Sequence, residues 1–441
     1  MSKSVIFLFT ILISIISCQV SDNSKDDNGP NIIFIFADDL GYGDLSSFGA
    51  NDISTPNIDF IADNGIKFTD FYSVSSVCTP SRAGMLTGRL PQRFGLNGVL
   101  FPDSHTGMPS SEYTIAELLR DNGYNTGIIG KWHLGHKYEY LPLQQGFDSF
   151  FGIPYSNDMA STVYFRGNEV VDHFPDQSLM TKKLTEESIK FIESNSENNF
   201  YLYLAHPMPH VPIYASEDFI GSSERGLYGD VVQELDWSVG KIIEKLREKN
   251  LLDNTMIIFS SDNGPWLLYP NNAGSAKPLR DGKGTTFEGG MRVMTIFKGP
   301  NIKTGIVKDI GSQLDFFTTI LTLADIEAPF NPEDSYDLSK TLKYLEPSPR
   351  QIIPYFVGSE LRAFRYRNHK IHFITQGAYN LPPKRMEHEI PILFNLTTDI
   401  GEEEELLNLD TINEIKRQVD LFQKDLRIKN SLLDIQYIDL N

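Results

Sequence analysis

Residues Ile32 through Ala37 form an unbroken apolar run, rich in Ile and Phe, that stops abruptly at two adjacent acids, Asp38 and Asp39. A strand solvated on one face alternates apolar with polar residues. One buried on both faces does not, and such strands sit in the middle of mostly parallel sheets. The run therefore demands helices on both of its sides. Similar runs recur at Asn125–Gly130, Phe200–Ala205 and Thr255–Ser261, with a further strand expected at Gly290–Phe297. Helical segments are expected between them, near Thr114–Asn122 with Thr114 as cap, and over Tyr228–Lys249. This alternation predicts an α/β fold with a mostly parallel central sheet sandwiched by helices.

In such sheets ligands bind beyond the carboxyl ends of the strands. Polar clusters fall there: Asp38-Asp39 after the first strand and Lys131-Trp132-His133 after the second. His206 to His210 follow the third, and Asp262-Asn263 the fourth. Three carboxylates and an amide oxygen from two strand ends are hard donors suited to Ca²⁺, or Mg²⁺. Read singly, Asp-Asp is a capped turn and Asp-Asn-Gly a plain turn. His206 and His210 lack a third ligand for zinc.

Past about residue 345 the texture changes. Arg362–Arg367 and Lys370–Ile374 alternate polar and apolar residues around Asn368-His369, as in an antiparallel hairpin. Ile392–Leu396 adds a strand and Thr411–Lys429 a helix. The expected organisation is a catalytic body at 31–345 and a smaller α+β subdomain at 346–441. The N-terminus reads as an export signal: Lys3, an apolar stretch from Val5 to Ile16, then Ser17-Cys18. It is too short to span a membrane comfortably. Residues 1–17 are thus expected to be cleaved. Residues 18–30, rich in Ser, Asp and Asn, are expected to form a flexible tether.

The formal net charge of −19 argues against nucleic-acid partners. An anionic substrate would need positive charge concentrated in its pocket. Only two cysteines occur, Cys18 and Cys78. If Cys18 is consumed at the signal, Cys78 is an unpaired thiol in an exported chain. Its bland reading is a small buried hydrophobe.

Cys78-Thr79-Pro80-Ser81-Arg82 resembles the Cys-x-Pro-x-Arg signature of type I sulfatases. Gly130-Lys131-Trp132-His133-Leu134-Gly135 resembles that family's second signature. The segment Leu279–Gly290 resembles the stretch holding its catalytic lysine, here Lys283; the Gly spacing is wrong for a P-loop. Gly152–Asp158 and Leu393–Asp399 resemble further family segments, although Ile400 stands where the family has proline. The likeness runs from about Asn31 to Leu407 and is nearest the arylsulfatase A-like branch of the alkaline-phosphatase superfamily.

The resemblance implies that Cys78 is oxidised after synthesis to formylglycine (3-oxoalanine), whose hydrate is the nucleophile. It implies Asp38, Asp39, Asp262, Asn263 and the residue derived from Cys78 around the metal. Arg82 would stabilise the hydrate, and Lys131 and Lys283 would spread sulfate charge. His210 or Lys283 would protonate the leaving alcohol, and His133 would take the final proton. Ser156 would lie near the sulfate, and His206 would be structural. Ile15–Cys18 likewise resembles a lipobox, implying lipidation of Cys18 and an anchored location in the outer membrane, periplasm or cell surface; a plain signal peptide is the alternative.

The expected substrate is a sulfated carbohydrate, such as ulvan, carrageenan, fucan or a glycosaminoglycan. The expected partner is a formylglycine-generating or anaerobic maturating enzyme. The rival readings are a phosphate or phosphonate hydrolase of the same superfamily and a non-catalytic glycan-binding lipoprotein.

Overall fold

The computed structural model describes residues 29–159 and 162–434. The expected signal, Cys18 and all but the end of the tether lie outside the described residues. In chain order the strands of the body are β1 (Asn31–Ala37), β2 (Ile66–Phe68), β3 (Phe71–Tyr72), β4 (Asn125–Lys131), β5 (Ser149–Ile153) and β6 (Tyr164–Arg166). They continue with β7 (Glu169–Asp172), β8 (Phe200–Ala205), β9 (Thr255–Ser261), β10 (Thr295–Lys298), β11 (Gly305–Val307) and β12 (Gly311–Ser312). Ten of them form one sheet in the order β11-β2-β10-β9-β1-β8-β4-β5-β6-β7, and β3 pairs with β12.

The parallel character lies in the centre, where β9, β1, β8, β4 and β5 all run one way. On one side β10 runs antiparallel to β9, and on the other β6 and β7 close the sheet as an antiparallel ribbon. The helices are α1 (Pro56–Asp63), α2 (Cys78–Thr87), α3 (Ile115–Asp121), α4 (Met180–Ser194), α5 (Leu227–Glu248), α6 (Glu288–Met291), α7 (Asp315–Leu323) and α8 (Ser339–Tyr344).

Strand β1 shows why its run cannot alternate. Ile32, Phe34 and Phe36 enter a core shared with α2, α3, α7 and α8. Ile33, Ile35 and Ala37 enter a second core shared with α1, α4 and α5. At about 25 cal/mol per Å² of apolar surface buried, both faces of such a strand drive folding. Thr114 caps α3 in a reciprocal capping box with Glu117.

One expected strand is corrected. Gly290–Phe297 is not continuous: the one-turn helix α6 ends at Met291, and the strand starts only at Thr295. Gly290 sits so close to the carbonyls of Thr285 and Gly282 that a Cβ would lie 2.3 and 2.8 Å from them. That packing needs a turn there, not a pleated strand.

The C-terminal part forms its own antiparallel sheet of β13 (Ile352–Val357), β14 (Glu360–Tyr366), β15 (His369–Thr375) and β16 (Met386–Asn395), followed by α9 (Leu409–Asp425). The hairpin turns at Arg367-Asn368, one residue earlier than the pattern implied, with Arg367 at φ +52°. Helix α9 starts two residues before its expected boundary and ends at Asp425. It packs Ile412, Ile415 and Val419 on Phe364, Ile371 and Leu393. The opposite face of the sheet presents Ile353, Tyr355 and Ala363 to Tyr72, Met291 and Ile310 of the body.

Candidate active site

Because β9, β1, β8 and β4 are parallel neighbours, their carboxyl ends share one edge, and four of the five polar clusters meet there. Gly130 permits the approach of β4 to β8: its φ is +120°, and a Cβ would stand 1.9 Å from the Ala205 carbonyl oxygen. Lys131 follows directly. The fifth cluster, around Lys283, arrives on the loop before α6 and is held by Lys283 N–H donating to the Pro265 carbonyl (2.9 Å).

Cys78 is the first residue of α2. Its predecessor Val77 offers no side-chain cap, so the positive end of that helix is uncompensated where the site begins. The thiol lies 3.6 Å from Asp38 Oδ1 and is buried. Burial pushes its pKa up to about 12, against the opposing pull of Lys131 and Lys283. At neutral pH it is a thiol, and a thiol is a weak nucleophile.

Arg82, one turn along α2, is fully buried. Its Nε and Nη2 donate to Asp262 Oδ2 at 3.0 and 2.9 Å, and Nη1 reaches the Lys131 carbonyl and the Tyr203 hydroxyl, both at 3.3 Å. Lys131 Nζ donates to Asp38 and, at 3.1 Å, to Ser156 Oγ. Lys283 Nζ donates to both oxygens of Asp39, at 2.7 and 2.8 Å. His210 Nε2 lies 3.6 Å from Asp39 Oδ2, and its ring also meets Ser156. Asn263 Nδ2 donates to Asp39 Oδ1 at 2.7 Å, and the Asp39 N–H donates to Asp262 Oδ1 at 3.1 Å.

Thus Asp38, Asp39, Cys78, Arg82, Lys131, Ser156, His210, Asp262, Asn263 and Lys283 form one connected cluster. Ligand atoms of Asp38, Asp39, Cys78 and His210 lie within 4.8 Å of one another. His206 stays outside it, paired with Ser238 Oγ of α5 at 3.2 Å, so the two histidines do not form a joint site.

The electrostatics discriminate among the acids. Burial would raise Asp38, but Lys131, Arg82 and Lys283 together hold it below the usual carboxylate value. Asp39 goes the other way. Burial, aided by its neighbours Asp38 and Asp262, outweighs Lys283 and lifts it to about 7. His133, expected to take the final proton, does not titrate near neutrality. Burial and then Lys131 hold its pKa far below the ordinary value, so it is neutral. Its Nε2 is 2.9 Å from the Leu100 carbonyl, which makes Nε2 the N–H and Nδ1 the acceptor; Nδ1 is buried without a partner.

Three carboxylates face three cations, so the cluster is close to neutral. A dication added to Asp38, Asp39 and Asp262 would leave about two positive charges for an anion. The donor set fits such an ion: hard oxygens, an Asp39 short of positive charge, and Asn263 Oδ1 buried without a partner. This also resolves the conflict between a net charge of −19 and an anionic substrate.

Some neighbours of the cluster carry no motif. Tyr203 orients Arg82, and Gln313 holds the Asp262 segment through Ser81 Oγ (3.0 Å) and the Ser261 carbonyl (2.5 Å). Trp266 lies beneath Lys283, and Tyr379 reaches it from the C-terminal sheet. Of these, only Trp266, three residues after Asn263, lies close in sequence to a motif.

A profile of the sulfatase family matches residues 30–326, and one for the C-terminal region of aryl-sulfatase matches 348–439. Arylsulfatase A of Bos taurus is 37% identical over 449 residues, spanning 92% of this chain and 88% of its own length. Among solved structures, the PsFucS1 sulfatase from Pseudoalteromonas sp. superposes with a TM-score of 0.83 at 28% identity, covering 91% of this chain and 92% of that one. Ps i-CgsB in complex with k-i-k-neocarrahexaose gives 0.78 at 29% identity, covering 90% and 94%.

Proposed function

Because this chain belongs to the sulfatase family, in its arylsulfatase A-like branch, and is a sulfuric ester hydrolase, we propose that it desulfates carbohydrates outside the cytoplasm. The observation that carries the reading is the buried, charge-balanced cluster around Cys78, which becomes an anion receptor once it holds a dication. Carbohydrate is favoured because a structural neighbour, Ps i-CgsB, was solved in complex with k-i-k-neocarrahexaose.

The family implies formylglycine and a divalent metal. When present, the aldehyde hydrate supplies the attacking oxygen, and the ion, Ca²⁺ or Mg²⁺, draws charge from the ester. Asp38, Asp39, Asp262 and Asn263 would hold that ion beside residue 78. The family likeness of Cys78-Thr79-Pro80-Ser81-Arg82 supports Cys78 as a precursor of the working group and not as the group itself.

This chain's own residues do the rest. Arg82 locks Asp262 in place through two hydrogen bonds to one oxygen. Lys131 and Lys283 present positive charge to the sulfate oxygens, and Ser156 hydrogen-bonds Lys131 and orients it. Lys283, held protonated by Asp39, would give the leaving oxygen its proton; His210 beside it is held neutral by burial and then Lys283, with its Nδ1–H turned to the Val211 carbonyl at 2.6 Å, and would contact the substrate instead. His133, neutral and with Nδ1 open, accepts a proton.

Conversion of Cys78 by a maturating enzyme, and export with anchoring through Cys18, belong to this reading. No helix among the described residues is long and apolar enough to cross a membrane. The test is sulfate release across defined sulfated oligosaccharides from algal and animal polymers, with Cys78→Ala as control. We expect turnover on at least one class, and a fall on the order of 10⁴-fold or more in the folded variant. Sulfate release by Cys78→Ala at the wild-type rate would refute the assignment.

A further inference from the structure

Trp266 leaves the site on the loop that follows Asp262-Asn263-Gly264-Pro265. Lys283 Nζ sits 4.4 Å above its ring, and the His210 ring is 5.2 Å away. Its indole Nε1 is buried and has no hydrogen-bond partner. A buried donor left unpaired costs about 1–3 kcal/mol, and such groups are rare in folded proteins.

Two more rings meet the indole. Tyr269 stands edge-on to it at 5.0 Å, and Tyr379, in the turn between β15 and β16, lies 5.4 Å from it; their exposures are 46% and 44%. Tyr379 is held at φ +53° and its neighbour Asn380 at +64°. Left-handed backbone is unfavourable for an aromatic residue, and strain of this kind gathers at ligand clamps. Here the turn carries a ring from one sheet onto the active-site loop of the other. A Cβ on Gly284, next to Lys283, would lie 3.1 Å from the Tyr379 ring.

We propose that Trp266, Tyr269 and Tyr379 form a stacking subsite for the pyranose ring attached to the scissile sulfate. The proposal rests on the carbohydrate reading above and deepens it. A sugar ring has an apolar C–H face and a rim of hydroxyl oxygens. The aromatic faces suit the first, and the unpaired Nε1–H suits the second. Lys283 and His210, against the same indole, hold the position where sulfate is handled, so the ring beyond the ester oxygen reaches the platform. A flat anion-binding site alone would need none of these rings.

The test compares wild type, Trp266→Ala, Trp266→Phe and Tyr379→Ala on the best sulfated oligosaccharide and on 4-nitrophenyl sulfate. The inhibition constant of inorganic sulfate and the thermal midpoint are measured alongside. Each alanine variant should lower kcat/KM for the oligosaccharide relative to the aryl ester by about tenfold, mainly through KM. The inorganic sulfate constant should move less than about threefold. Trp266→Phe should recover part of the stacking loss but not the lost N–H. Equal losses on both substrates would show a merely structural role and overturn the subsite. A wild-type enzyme that cleaves the aryl ester and no oligosaccharide would overturn the carbohydrate reading as well. Oligosaccharide cleavage with indifferent variants would overturn the subsite alone.

Discussion

Two clusters of buried charge lie on either side of the loop that carries Lys283. The first is the candidate active site. The second, under the C-terminal sheet, joins Glu288 of α6 to Lys370 of β15, the Tyr355 hydroxyl of β13 and the Tyr72 hydroxyl of β3. Glu402 completes it by accepting from Lys370, His372 and the Glu288 N–H, at 2.9, 2.8 and 2.6 Å. Both clusters are buried, yet Glu288 of the second and Asp39 of the first behave oppositely. Burial raises Glu288, but Lys370, Arg292 and Arg365 overwhelm it and hold the carboxyl far below its usual range. Asp39 has one lysine and two neighbouring acids, and rises to about 7.

The contrast shows how structure and function diverge from one chemistry. An over-compensated acid is a clamp: it fastens α6, and through it the Lys283 loop, to the C-terminal sheet. A single under-compensated acid, Asp39, in a cluster otherwise close to neutral is one that an added cation would stabilise, as the proposed metal site requires. The second cluster has its own irregularities, since Glu402 adopts φ +52° and His372 Nδ1 is unpartnered. Every carboxylate in it nonetheless has a cation.

Neutralising one acid in each cluster should give opposite outcomes. Asp39→Asn is expected to lower sulfate release on the order of 10³-fold. Metal-free thermal stability should stay level or rise, because burial and two like charges oppose the native carboxylate and Asn tolerates its φ of +61°. A large loss of stability would break the comparison.

Glu288→Gln should instead destabilise by about 3–5 kcal/mol, as removing one member of a buried ionic cluster does, with kcat/KM of the folded protein far less affected. Its acid response has a defined sign. Glu288 is depressed in the fold, so its contribution is complete above the ordinary carboxyl value of 4.5 and lost as pH falls below it. The gap between wild type and variant in denaturant unfolding should be constant from about pH 5 to 8 and shrink under acid.

The smallest effect belongs to a third buried acid, one with no cation beside it among the described residues. Asp236 of α5 caps α1 by accepting from the N–H groups of Asn57 and Ile58, at 2.9 and 2.8 Å. Burial lifts its pKa to about 6 against those hydrogen bonds. Asp236→Ala should cost about 1–2 kcal/mol of cap. A raised carboxyl binds its proton more tightly in the fold, so wild type gains stability as pH falls from 7 toward 5. The variant should lose that part of the gain.

Local pattern determined a good deal. The apolar run before Asp38 required a doubly covered strand, and the runs ending at Ala205 and Ser261 placed their polar followers on the same edge. The motifs around Cys78, Lys131 and Lys283 named most of the cluster before any contact was known. These features are legible because strand periodicity and motif spacing are properties of consecutive residues.

Tertiary structure alone decided the rest. Gly290–Phe297 breaks at Met291 because neighbouring carbonyls crowd Gly290, which no propensity scale registers. His133 is neutral because burial and Lys131 act on it together. Glu288 and Asp39 are both acids in short acidic or Gly-rich segments, and nothing in those segments says that one is depressed and the other raised. Tyr379 joins Trp266 only because one sheet packs against the loop of another. Burial, the count of opposite charges within reach, and the meeting of distant segments are sums over the whole fold, and those sums separate a clamp from a receptor.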